Sequence, residues 1–123
     1  KVVLQKTVIP ALTSESSAWN VQFDALTSLR QVFVFNSAVV KSSDLETLIP
    51  CIEKAVRNSR SSLARNAILT VDDLFFKCGK VNMSQESIDI LCVALLDSTA
   101  SNVAKALRTA ATAALTQAVG PNS

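Results

Sequence analysis

Apolar residues recur along the middle of the chain with the spacing of amphipathic helices. A first set has members three or four residues apart, at Leu48, Ile49, Ile52, Ala55 and Val56. After the polar stretch 58–62 a second set follows the same spacing, at Leu63, Ala67, Ile68, Val71, Leu74 and Phe75. Gly79 then supplies a C-terminal stop. The pattern predicts two helices joined by a tight turn.

The same pair of helices is predicted on both sides of this unit. Downstream, Ser84 opens a helix, a polar turn covers 97–101, and a second apolar set begins at Val103. Leu63 and Val103 are equivalent positions 40 residues apart, and Val21 and Leu63 are equivalent positions 42 residues apart. Three second helices therefore recur at about 40 residues, which is the period of HEAT and armadillo repeats.

The predicted fold is all-α, a HEAT/armadillo-like α-solenoid of about three helical hairpins. The repeats cover approximately 2–35, 44–79 and 84–119 of one segment spanning 1–123, and the first helix runs from Val2 to Leu12 and ends near Pro10. Hairpins of this kind must stack to bury both of their apolar faces. Because the chain starts at Lys1 and its end hairpins lack a polar outer face, we expect a fragment of a longer protein with further repeats.

Composition agrees with this picture and excludes several functions. The chain has 49% apolar residues, two glycines and a formal net charge of only +2, which does not indicate nucleic-acid binding. No apolar run approaches a membrane span, and the N-terminus has no signal-peptide pattern, so we expect a cytoplasmic protein without membrane contact. The three cysteines lack paired spacing and are predicted to be buried free thiols.

The sequence contains no recognisable catalytic constellation. Histidine is absent, no glycine-rich phosphate loop occurs, and no serine or cysteine has a candidate base nearby. Asp72 and Asp73 are adjacent on a predicted helix and so point in different directions. We predict that the chain is not an enzyme and holds neither a cofactor nor a metal.

Repeat proteins of this type act through surfaces, so the turns at 13–19, 57–65 and 97–105 are the candidate contact regions. The middle turn is basic, with Lys54, Arg57, Arg60 and Arg65 following Glu53 and no further acidic residue among them. These residues are either ordinary solvated charges, with arginines favoured at a helix C-terminus, or anchors for an acidic surface. Phosphate would be bound by the same groups.

Trp19 and Lys105 are the candidates in the outer turns. Trp19, the only tryptophan, is either a hydrophobic staple that closes the first turn or an exposed anchor for a partner. Lys105 extends the same row of turns. The five phenylalanines, by contrast, are predicted to pack inside the protein, and no alternation of basic and aromatic residues of the kind that stacks bases is present. Nucleic acid is therefore only a minor alternative.

Three stretches of the sequence resemble TOG-type domains, in particular those of CLASP proteins and of TOG-array regulators of axonemal microtubules. RNSRSSLARNAILTVDDLF resembles a second-repeat turn and helix, AWNVQFDALTSL a first-repeat helix, and VAKALRTAATAAL a later one. Because TOG domains bind tubulin through a row of intra-repeat turns, the resemblance implies an apolar contact by Trp19 and contacts to acidic tubulin surface by Arg57, Arg60 and Arg65. Lys105 is the weaker third-turn candidate.

The sequence is compatible with two functions. The first is a non-enzymatic module that binds tubulin or microtubules through its turns, which implies a cytoskeletal location on microtubules or the axoneme. The second is a general HEAT-repeat scaffold or adaptor for a protein other than tubulin, which would use the groove face or the helix flanks.

Overall fold

Helices account for all the regular secondary structure of the described residues, as the sequence predicts. A computed structural model describes residues 4–14, 18–79 and 83–118. A π-helical turn, Leu4–Val8, leads into α1, Ile9–Thr13. The longer helices are α2, Trp19–Asn36, followed by a short 3-10 turn Ser37–Val39; α3, Ser42–Val56; α4, Ser61–Asp73, continued by a π-helical turn Leu74–Cys78; α5, Gln85–Asp97; and α6, Lys105–Ala118.

The helices pack in sequential pairs and also between pairs. Helix α1 contacts α2, α3 contacts α4, and α5 contacts α6. Between pairs, α2 packs on α4 and α4 on α6, while α1 contacts α3 and α3 contacts α5. The even-numbered helices thus form one row and the odd-numbered helices a second row against it. Helix α4 lies in the middle of its row, where it touches α2, α3 and α6.

One apolar core connects all six helices. It includes Leu12 of α1, Leu26 of α2, Ile52 of α3, Leu95 of α5 and Ala114 of α6. Helix α4 supplies four of the residues whose spacing predicted it, Leu63, Ala67, Ile68 and Val71, and none of them has exposed surface. The apolar stripe that predicted α4 is therefore the stripe by which it packs.

A buried polar network sets the register between α2 and α4. Asn66 of α4, only 5% exposed, donates from Nδ2 to the Phe23 carbonyl and to Thr27 Oγ1, both at 3.0 Å. Arg30 of α2 donates from Nε to Asp73 Oδ2 at 2.9 Å and from Nη1 to Asn66 Oδ1 at 3.2 Å. Phe23 and Asn66 are 43 residues apart, as are Arg30 and Asp73, so α2 and α4 run parallel in one fixed register.

Helix starts differ from the sequence prediction in three places. Helix α1 does not end at Pro10, because that proline lies in its first turn, where the missing N–H is not needed. Helix α3 begins at Ser42, and the Asp44 carboxylate accepts the Lys41 amide at 3.1 Å. Helix α4 begins at Ser61, within the polar stretch 58–62, and its N-cap is Arg60. Val2 and Val3 lie outside the described residues.

Several residues expected inside the protein lie on its surface. Phe35 is 82% exposed and Phe76 is 63% exposed, so the prediction that they pack inside is wrong, whereas Phe33 and Phe75 are buried. Phe35 falls off the stripe by which α2 is buried, which has members three or four residues apart and passes through Phe33. The three cysteines, predicted to be buried, are only half-buried.

Candidate protein-binding edge

The predicted contact turns meet along one side of the protein. The Arg60 guanidinium carbon lies 4.3 Å from the centroid of the Trp19 ring, which joins the second turn to the start of α2. Arg57 donates from a terminal guanidinium nitrogen to Asp97 Oδ2 at 2.6 Å, which joins the second turn to the end of α5. We call this side, made of residues 18–20, 57–61 and 97–105, the turn edge.

Trp19 is the first residue of α2 and an exposed part of the turn edge. Its side chain is 42% exposed, and it meets Phe23, one helical turn later, edge to face with centroids 6.3 Å apart and planes at 81°. A staple residue precedes the N-cap, but the N-cap of α2 is Ala18. Trp19 is thus not a staple, and the structure favours the alternative of an exposed aromatic surface.

Arg60 reaches Trp19 because the second turn is locally organised by Asn58. The Asn58 side-chain oxygen accepts the Arg60 amide at 2.8 Å, an Asx turn that directs the chain into α4. As the N-cap of α4, Arg60 precedes the helix, and its side chain crosses to the neighbouring α2. A guanidinium over an indole contributes about 0.5–1 kcal/mol at an exposed site, which is enough to bias the arginine toward this position.

Arg57 is occupied by carboxylates of the protein itself. Besides Asp97, it contacts Glu53 Oε2 at 3.1 Å, one turn earlier on α3. The hydrogen bonds to Asp97 and then to Glu53 raise the pKa of Arg57 further above its ordinary value. Because two carboxylates already pair with its single positive charge, Arg57 offers less charge to a partner than its sequence position indicates. Its contact with Asp97 links the second and third turns.

Lys105 is an exposed cation at the end of the turn edge, and Arg65 is an exposed cation one helical turn beyond it on α4. Arg65 lies in the second turn of α4, and Lys105 is the first residue of α6. Neither takes part in an ion pair within the described residues. Of the five predicted contact residues, the structure brings Trp19 and Arg60 into contact, whereas Arg57 pairs elsewhere.

Side chains rather than helix dipoles give the turn edge its charge. Each connection joins the C-terminus of one helix to the N-terminus of the next, as Val56 of α3 and Ser61 of α4 illustrate. The partial charges of the two helix ends have opposite signs and largely cancel there. The positive character therefore depends on Arg60, Arg65 and Lys105.

Asp97 is a residue of the turn edge whose contact the sequence analysis does not predict. The sequence pattern identifies it only as the start of a polar turn, whereas its carboxylate accepts a hydrogen bond from Arg57 of the neighbouring turn. The two residues are 40 apart, which equals the repeat spacing between the second and third units. A search for opposite charges one repeat apart would have found the pair.

Away from the turn edge, a shallow cavity of about 270 Å³ opens beside α2. It is lined by six residues, Thr27, Arg30, Gln31, Val34, Phe35 and Asp73. No group of three or more metal-binding side chains occurs among the residues that the structure describes. Within the same residues, none of the helices has the length and apolar character needed to cross a membrane.

Comparisons with known proteins add no assignment. No protein-family model, no curated protein and no solved structure matches this chain.

Proposed function

We propose that the chain is a segment of a HEAT-type α-solenoid that binds an acidic protein surface through its turn edge. The observation that carries the proposal is the Arg60 guanidinium stacked on the exposed Trp19 ring. The stack places a cation and an aromatic surface side by side. Arginine and tryptophan are also the residue types that dominate the energetics of protein interfaces.

The solenoid part of this proposal is supported by the register between helices. Phe23 and Asn66, and Arg30 and Asp73, are 43 residues apart, while Arg57 and Asp97 are 40 apart. Residues one repeat apart are neighbours in a stack of similar hairpins, because each hairpin contacts the next in the same orientation. The contacts thus occur at the spacing that a solenoid requires.

Tubulin is the partner that we propose, and microtubules or the axoneme the cytoplasmic location. The basis is the resemblance of the turn sequences to TOG-type domains, together with the chemistry of the turn edge. Arg60, Arg65 and Lys105 would contact acidic groups of tubulin, and Trp19 would supply the apolar contact. Arg57 would hold the second turn against the third through Asp97.

Co-sedimentation with stabilised microtubules, together with size-exclusion chromatography with free tubulin, tests this function. The test variant carries Arg60→Glu and Arg65→Glu. We expect its microtubule affinity to fall at least about tenfold, since two favourable charge contacts become repulsive. Binding should also weaken as salt rises, because exposed charges are screened.

A matched control carries Lys41→Glu and Lys77→Glu, which change the net charge by the same amount. Both lysines are exposed and lie at connections on the opposite side, between α2 and α3 and at the end of the π-helical turn. The control should bind as the wild type does. An equal loss of microtubule affinity in both variants would show that binding depends only on net charge. A folded wild type that binds neither microtubules nor free tubulin would contradict the proposed partner.

A second candidate function is a scaffold that binds a protein other than tubulin through the opposite side. The observation that favours it is the pair of exposed phenylalanines, Phe35 beside the shallow cavity and Phe76 in the π-helical turn. Exposed aromatic residues at helix ends provide apolar contact area. A Phe35→Ser, Phe76→Ser variant should keep wild-type microtubule binding if the turn edge contacts tubulin. Loss of microtubule binding in the folded variant would place the tubulin contact on the phenylalanine side, and absence of microtubule binding in the folded wild type would favour the scaffold function.

A further inference from the structure

The turn between α3 and α4 carries a serine whose chemistry the proposed binding function does not use. Residues 57–60, Arg-Asn-Ser-Arg, connect Val56 of α3 to Ser61 of α4 and are all exposed. Ser59 lies outside both helices, two residues after Arg57 and immediately before Arg60. A kinase therefore reaches its hydroxyl without unfolding a helix.

The two flanking arginines fit a phosphate on this serine. Guanidinium groups bind phosphate oxygens by short, charge-assisted and often bidentate hydrogen bonds. Arg60 is held by a cation–π contact and Arg57 by exposed ion pairs, all of which are weak interactions. A phosphate carrying about −1.5 to −2 charge competes with them effectively. The first turn of α4 contains no acidic residue that would repel the phosphate.

We infer that Ser59 is a phosphorylation site, modified by a protein kinase that selects arginine next to its acceptor. In the transfer, Ser59 Oγ forms a bond to the γ-phosphorus of ATP while the bond from that phosphorus to the β,γ-bridging oxygen breaks. ADP leaves, and the serine proton passes to the kinase's catalytic carboxylate.

Phosphorylation switches the turn edge from a basic to a neutral or acidic surface. The phosphate offsets the charges of Arg57 and Arg60 and draws Arg60 off the Trp19 ring. Partner release rests on the proposed function, since it requires that the turn edge bind an acidic protein. The phosphorylation of Ser59 and the exposure of the Trp19 ring do not depend on that function.

The site is tested by incubating the full chain with MgATP and either of two arginine-selecting kinases, the catalytic subunit of cAMP-dependent protein kinase or protein kinase C. Phosphate is then counted and mapped by mass spectrometry. We expect close to one phosphate per chain, lost in Ser59→Ala. Ser101→Ala is the matched control, because Ser101 is also exposed in a turn but has no neighbouring arginine. Absence of incorporation with both kinases, or incorporation that persists in Ser59→Ala, overturns the assignment.

The switch is tested on the phosphorylated chain by two measurements. Trp19 is the only tryptophan, so its emission should shift toward that of an Arg60→Ala variant. Microtubule affinity should fall at least about tenfold, as for two charge reversals. Unchanged emission and unchanged binding overturn the switch. If Ser59 is phosphorylated and the emission shifts while neither form binds microtubules, the proposed function fails and the phosphorylation site stands.

Discussion

At the scale of single residues, an arginine's role depends on which group it meets. Arg57 and Arg60 are three positions apart in one turn, yet Arg57 is held by two carboxylates and Arg60 lies on an aromatic ring. An ion pair satisfies most of the charge, whereas a ring covers one side of the guanidinium and leaves its N–H groups at the edge free to donate. For this reason Arg60 is the stronger candidate for partner contact.

Replacing Arg60 by alanine should expose the tryptophan and weaken the fold slightly. We expect Arg60→Ala to shift Trp19 emission to longer wavelength, because water reaches the ring, and to lower the free energy of unfolding by about 0.5–1 kcal/mol. Fluorescence spectra and urea unfolding measure the two effects. Arg65 is exposed and pairs with no carboxylate in the part of the chain that the structure describes, so Arg65→Ala should change neither. An unshifted spectrum for Arg60→Ala would mean that the stack is not populated in solution.

Asp72 should make the fold less stable at neutral pH than an uncharged residue would. Burial raises the pKa of Asp72, the charge of Asp73 raises it further, and Arg30 acts in the opposite direction. Its Oδ1 atom is buried without a hydrogen-bond partner. Because the pKa is higher in the folded state, the contribution of Asp72 is favourable below its unfolded pKa of about 3.9 and is lost as pH rises through the folded value.

Asp72→Asn should therefore raise the free energy of unfolding at pH 7, by about a few tenths of a kcal/mol because solvent screens the site. The gain should shrink toward zero as pH falls to about 3.5, near the unfolded pKa. Urea unfolding across this range measures the difference. Asp73→Asn is the control and should destabilise at pH 7, since it removes the carboxylate that pairs with Arg30. An Asp72→Asn variant that is less stable than the wild type at pH 7 would contradict the conclusion that the buried charge of Asp72 destabilises the fold.

At the scale of elements, the apolar pattern located the helices well and their ends less well. The stripes around Leu63 and Leu91 predicted α4 and α5 because buried positions of a helix repeat every three to four residues. Ser84 is also an N-cap as expected, accepting the Ser87 amide at 3.1 Å. The bounds of α1 and α3 did not follow from their prolines, because Pro10 lies in the first turn of α1, where proline is tolerated, and α3 continues through Pro50.

The candidate site was predictable only in part for a related reason. Sequence position placed Trp19 and Arg60 in turns, and the repeat spacing brought those turns to one side. Which cation would meet the ring and which would meet a carboxylate depends on side-chain directions, since Arg57 and Arg60 lie in the same basic turn. The exposure of Phe35 likewise depends on its angle around α2, which composition does not indicate.

Pro50 destabilises α3 locally, and the packing of the helix against its neighbours offsets this effect. It lies inside the helix and is exposed, so its ring makes little contribution to the core. Proline at such a position lacks the N–H that would bond to the carbonyl of Glu46 and crowds that carbonyl. Pro50→Ala should raise the free energy of unfolding by about 2 kcal/mol, part of the usual cost being offset by the stiffness of proline in the unfolded chain.

Urea unfolding followed by circular dichroism measures this gain. Lys54→Ala, at an exposed position one turn later in the same helix, is the control and should change stability by less than about 0.5 kcal/mol. A Pro50→Ala variant no more stable than the wild type would mean that α3 needs its proline for packing.

At the scale of the whole molecule, α4 should hold the rest of the chain together. It contacts α2, α3 and α6, and Ile68 on it has no exposed surface. Ile68→Ala should lower the free energy of unfolding by about 2–5 kcal/mol and shift the whole helical signal in one transition, because one core joins all the helices. Thermal and urea unfolding by circular dichroism measure this effect.

Phe35→Ala is the matched control for Ile68→Ala. It removes a larger side chain, but one that is 82% exposed, so the expected loss is below about 0.5 kcal/mol. Comparable losses for the two variants, or a separate early transition in Ile68→Ala, would contradict the central position of α4.

The π-helical turn at the end of α4 has a consequence for how this chain can change during evolution. There the Gly79 amide bonds to the Leu74 carbonyl, five residues back rather than four, and Gly79 adopts a positive φ of 73°. The hydrogen bond from Gly79 to Leu74 spans one residue more than an α-helical hydrogen bond does. We therefore expect the end of the helix to stay hydrogen-bonded when its length changes by one residue. A change of one residue at this end leaves the buried positions upstream on α4 in place. Single-codon insertions and deletions should therefore be tolerated in 76–78, beyond the buried Leu74 and Phe75, far better than in the preceding turns of α4, where each would rotate the apolar stripe by about 100°.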